Sequence, residues 1–97
     1  MPVKTYRKKP LSIRAIQYKG SQDLSTLSEI TEFIGEHFRV RDIKDVEDSV
    51  ITAEVYDYLH DTWVGVKDGD FLIQGVQGEF YPHDGYLMPE AYDEVWG

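Results

Sequence analysis

Gly69-Asp70-Phe71-Leu72-Ile73-Gln74-Gly75-Val76-Gln77-Gly78-Glu79-Phe80-Tyr81-Pro82 reads as a strand, a glycine-bounded turn and a second strand. Apolar and aromatic residues crowd both runs, and the glycines stand where the chain must reverse. The glycines at 69, 75 and 78 are expected to take positive φ, which only glycine adopts freely. They form no phosphate loop, because no Lys-Ser/Thr pair and no long helix follow them. This stretch commits the chain to antiparallel β-structure built from short, locally connected strands.

Upstream of it, Asp68-Gly69 is a tight-turn dipeptide between two such runs, so residues 62–66 and 71–74 read as a hairpin. Residues 50–58 alternate, with Ile51, Ala53 and Val55 on one side and Thr52, Glu54 and Tyr56 on the other. Residues 38–43 read as a short strand and residues 44–49 as a charged turn. Leu24, Leu27, Ile30 and Ile34 recur at helical spacing with Phe33 beside them. Ser21, Asp23 or Ser25 fits the start of that helix, Thr26 and Glu29 have capping-box spacing, and Gly35 is a natural stop. Residues 11–18 alternate and become apolar on both faces, which predicts a strand inside a sheet. Downstream, Pro89 opens a short helix reaching Val95.

The fold class is therefore α+β. One amphipathic helix packs on a curled antiparallel sheet of five or six strands, a candidate for a partly open barrel, and a short helix ends the chain. The 97 residues read as one domain, with residues 1–10 a candidate flexible basic arm.

The net charge of −8 is uneven: residues 1–20 carry +6 and the remainder −14. An acidic body argues against nucleic acid, whose phosphates need clustered Lys and Arg. With no cysteine, disulfides, thiolate metal sites and a cysteine nucleophile are excluded. No apolar run is long enough to span a bilayer, so no membrane partner is expected.

Three blocks carry a resemblance. They are Tyr6-Arg7-Lys8-Lys9-Pro10 followed by Ile13, Ala15, Ile16, Gln17 and Tyr18; Gly69 to Ile73 with Gly75 to Pro82; and Ala91-Tyr92-Asp93-Glu94-Val95. In this order they resemble an uncharacterised family of small proteins encoded by tailed bacteriophages and prophages. The resemblance implies a small protein of the host cytoplasm. It brings no reaction and no catalytic residues, and it fades over residues 39–66.

Candidate chemistry is thin. His60-Asp61 and His83-Asp84 are similar pairs, but neither has ligand spacing and neighbouring strand residues point to opposite faces. Asp68, Asp70, Glu79 and Asp84 fall around one predicted hairpin, where turn aspartates ordinarily bond their own backbone; Glu79 is expected to pair with the basic first strand. No serine sits in a nucleophile elbow. The expectation is a non-enzymatic protein with no cofactor and no metal. Its acidic, tyrosine-rich surface would dock a host or phage protein as inhibitor or adaptor. Trp63 and Phe71 are expected to pack within the fold. The residues assigned to binding are Arg14, Tyr58, Trp63, Tyr81 and Tyr86. Alternatives are a virion or assembly component that self-associates, as a dimer or larger homo-oligomer, and a binder of nucleotide-like small ligands.

Overall fold

A computed structural model of the chain describes residues 3–7, 11–41 and 51–95. Among these residues six strands and two α-helices run in the order β1 (Arg14–Gln17), α1 (Leu24–Ile34), β2 (Phe38–Val40), β3 (Ile51–Asp57), β4 (Thr62–Lys67), β5 (Phe71–Gln74), β6 (Phe80–His83) and α2 (Met88–Ala91). The fold is α+β. The expected charged turn over residues 44–49 lies outside the described residues.

Helix α1 begins where Asp23 accepts the Thr26 N–H at 3.1 Å and the Ser25 hydroxyl at 2.9 Å. Asp23, rather than Ser21, Ser25 or a Thr26–Glu29 box, is thus the cap. Those bonds hold its carboxyl below the ordinary aspartate range, the Thr26 N–H contributing most. Gly35 ends the helix at φ 74°, and one 3-10 turn, Gly35–His37, leads into β2. Ile30 and Ile34 are buried as the stripe predicts, whereas Leu24 at its start is exposed.

The strands form two antiparallel sheets of three, ordered β1-β5-β6 and β2-β3-β4. They do not close into a barrel. The β5–β6 hairpin of the opening stretch is present, with Ile73 opposite Tyr81 and Gln74 opposite Phe80. Gly69 and Gly78 take positive φ. Gly75 does not: a side chain there would collide with the Glu79 carboxylate.

Three strand expectations are corrected. Asp68-Gly69 is a tight turn, with the Asp70 N–H donating to the Lys67 carbonyl at 3.0 Å, but it carries the chain from one sheet to the other. β4 pairs with β3 and β5 with β1 and β6, so no β4–β5 hairpin exists. The strand β1 lies at a sheet edge, not inside one. Its apolar second half is covered by layer packing: Tyr18, just beyond it, is wholly buried and its ring meets Phe38 edge-on at 5.7 Å. Finally, a register shift between Ile51 and Ala53 breaks the alternation of β3. Ile51 therefore lies over Gly65, on the Glu54 side, while Thr52 turns inward to the Tyr18 hydroxyl at 2.7 Å.

One core joins both sheets and the helix. Tyr18, Ile30, Ile34, Val55, Val66, Leu72 and Phe80 belong to a single buried cluster. Phe33 meets Phe80 edge-on at 5.5 Å, tying α1 to β6, and β6 packs against β3 and β4. On the opposite face of the first sheet, register places Ala15, Ile73 and Tyr81 side by side. Ile73 is fully buried there, and on the same strand pair Tyr92, from the segment after α2, meets His83 edge-on at 5.9 Å.

Candidate functional site

Four acidic side chains are buried: Glu54, Asp57, Asp70 and Glu79. A buried carboxylate needs partners, and each has them. Glu54 is clasped by Arg39 and Arg41, both at 2.9 Å. Asp57 accepts the Leu59 N–H at 3.0 Å and bonds His60 Nδ1 at 2.7 Å; the His60 bond chiefly holds its carboxyl below the ordinary range. Asp70 accepts the Lys67 N–H at 2.9 Å, and burial pushes its carboxyl up. Glu79 folds back over Gly75 and accepts the Gln77 N–H at 3.4 Å. It does not pair with the first strand, because β6 lies on the far side of β5 from β1.

Two of these acids, Asp57 and Glu79, converge on an open cleft of about 560 Å³. Leu11 and Ile13 form one wall, the β3–β4 turn supplies Leu59 and His60, and the β5–β6 turn supplies Gly75 and Val76. Tyr81 and Tyr92 close it. Leu11, Leu59 and Val76 are 59%, 46% and 66% exposed, an apolar rim that the fold leaves uncovered. Beside it, the Tyr58 hydroxyl donates to the Gln77 carbonyl. Burial, reinforced by a hydrogen bond with Tyr92, pushes the Tyr81 hydroxyl up to about 12. Among the described residues no lysine or arginine lines the cleft.

A second cleft of about 590 Å³ is lined by Gln17, Thr52, Lys67, Asp68, Asp84 and Tyr86, among others. Its polar groups are engaged with one another. Thr52 donates to Asp68 at 2.6 Å and receives the Tyr18 hydroxyl; Gln17 donates to the Gly69 carbonyl at 3.1 Å; and Lys67 lies 3.6 Å from Asp84. Burial raises Tyr18, while the Tyr86 N–H, bonded at 2.8 Å, chiefly lowers Asp84. The three acids Asp68, Asp70 and Asp84 meet here, as the sequence suggested, but Glu79 is in the other cleft.

No family model, curated protein or solved structure matches this chain.

The five residues assigned to binding are not brought together. Arg14 lies over the Phe33 ring, 4.9 Å from its centre. Trp63 is half-buried on the outer face of the second sheet, under Arg39 at 3.8 Å and beside Tyr56 at 5.5 Å. Phe71 is half-buried as well. Tyr86 stands 94% exposed at the second cleft. Only Tyr81 and Tyr58 belong at or beside the first cleft. Sequence reasoning gave no binding role to Leu11, Leu59, Val76, Asp57 or Tyr92, and weighed His60 only as a metal ligand. The spacing Asp57-x-x-His60 across a turn was the one available signal. The sequence pairs dissolve: His60 bonds Asp57, Asp61 takes the Tyr56 hydroxyl and raises it, and His83 bonds the Asp84 carbonyl at 3.1 Å. Among the described residues no group of three or more His, Asp or Glu is placed to hold a metal ion. Among them, too, no helix is long and apolar enough to cross a membrane.

Proposed function

We propose that this chain is a non-enzymatic binding protein, phage-encoded as its sequence blocks suggest, that docks a host protein in the host cytoplasm. The contact surface is the acidic, tyrosine-walled cleft between the β3–β4 turn, the β5–β6 turn and the first sheet. The observation that carries this reading is the exposed rim of Leu11, Leu59 and Val76 around two buried carboxylates. Exposed apolar side chains grouped round a concave floor suit an anchor residue of a partner. Asp57 and Glu79, with no lysine or arginine among the described lining residues, favour a partner whose anchor carries a basic neighbour. Binding rather than chemistry fits the side chains present. Tyr81 keeps its proton at neutral pH, and Asp57 is held as a carboxylate by His60.

The test is capture from host lysate by the tagged chain and by its Val76→Asp variant, at low salt and at about 1 M salt, which screens exposed charge within about 3 Å. Val76 is on a turn and largely exposed, so the variant keeps the fold. A stoichiometric partner lost with Val76→Asp and weakened by salt supports the reading. Equal capture by the variant overturns it.

A further inference from the structure

Among the described residues no lysine or arginine lines the first cleft, and its apolar rim of Leu11, Leu59 and Val76 is exposed. Residues 3–7, Val-Lys-Thr-Tyr-Arg, are exposed throughout, with Val3 79% and Tyr6 86% accessible. An aromatic anchor beside basic residues is what an apolar, acid-floored cleft accepts. The segment is long enough to enter: five residues reach at most about 17 Å, and about 560 Å³ is room for a tyrosine and an aliphatic neighbour.

We infer that the cleft is occupied by residues 3–7 of a second copy, Tyr6 seated against Leu59 and Val76 with Lys4 and Arg7 facing Asp57 and Glu79. The inference rests on the docking reading above and adds that the chain caps its own site until a partner displaces the arm. Exchange between copies is favoured over folding back within one. Leu11 is already part of the cleft wall, so an arm of residues 3–7 returning to its own cleft would have to double back within a very few residues, which a short loop closes only at a cost. Reciprocal exchange closes into a two-fold dimer rather than a filament.

The experiment is sedimentation velocity on the full chain from low micromolar to near-millimolar concentration, with Tyr6→Asp and Val76→Asp variants alone and mixed one to one. Both positions are exposed, so both variants keep the fold. A monomer–dimer equilibrium is expected that weakens in about 1 M salt, with each variant dimerising at least about tenfold more weakly. Mixing them restores heterodimer through the one intact pair, the arm of the Val76→Asp chain in the cleft of the Tyr6→Asp chain. Arm-to-arm or cleft-to-cleft contact gives no such rescue. A full chain that stays monomeric, or a mixture that dimerises no better than its components, overturns the exchange. If the full chain is monomeric while Val76→Asp still abolishes capture of a host protein, the exchange falls and the docking reading stands. If Val76→Asp captures like the wild type, the docking reading falls as well.

Discussion

The Tyr81 hydroxyl shows how far burial moves a single group. An unfolded tyrosine ionises near about 10, whereas Tyr81 is held to about 12 by burial and by its bond with Tyr92. Between those values the folded chain keeps a proton that the unfolded chain has lost. The resulting stability is whole below about pH 10 and disappears as pH rises through 12. Titration of ¹³Cζ-labelled tyrosines should find Tyr81 ionising well above the ordinary tyrosine value of about 10. Tyr81→Phe should flatten the alkaline fall in Tm; an unchanged slope would show that another group causes it. At Gly85 the constraint is space, since a side chain would strike the Gly69 carbonyl oxygen. Backbone cannot yield as a side-chain tip does, so Gly85→Ala should cost about 1–3 kcal/mol, read as a lower denaturation midpoint at constant m-value.

Among the elements, α1 depends most on one residue. Asp23 closes its first turn by accepting from Thr26 and is held below the ordinary range by that bond. Its contribution is present above the unfolded aspartate pKa of about 3.9 and fades as pH falls through the lowered folded value. Asp23→Ala should lower Tm by a few degrees at neutral pH and by less in acid. A gap constant across that range would sink the charge-based account. Strand β3 makes a different point. Its period-two pattern is legible from Ala53 to Tyr56, but the irregularity at Ile51 reverses the first residues. The reversal is long-range in origin: Ile51 fills the space Gly65 leaves, and Thr52 satisfies the buried Tyr18 hydroxyl.

Across the whole molecule, the two sheets share one core. Leu72 of the first sheet and Val55 of the second are both fully buried in the same cluster, and a three-stranded sheet with a single packed face has little stability alone. Unfolding should be one cooperative transition. Leu72→Ala should cost about 2–5 kcal/mol and lower amide protection in β3 by the same factor as in β5. Protection lost only in the first sheet would show that the sheets open separately.

What the sequence determined by itself is local. Local pattern placed α1 and the four strands β3 to β6 within a residue or two, Asp23 and Gly35 bounded the helix, and Gly69 and Gly78 announced their positive φ, because each depends on neighbours a few positions away. Tertiary structure alone decided which strands share a sheet, that β1 is an edge, and that Asp68-Gly69 joins two sheets instead of closing a hairpin. Turn chemistry bends the chain but carries no information on where the next strand pairs. The cleft was illegible for the same reason. Leu11, Leu59, Val76 and Tyr92 come from four separated segments, and their adjacency is set by the packing of the core beneath them.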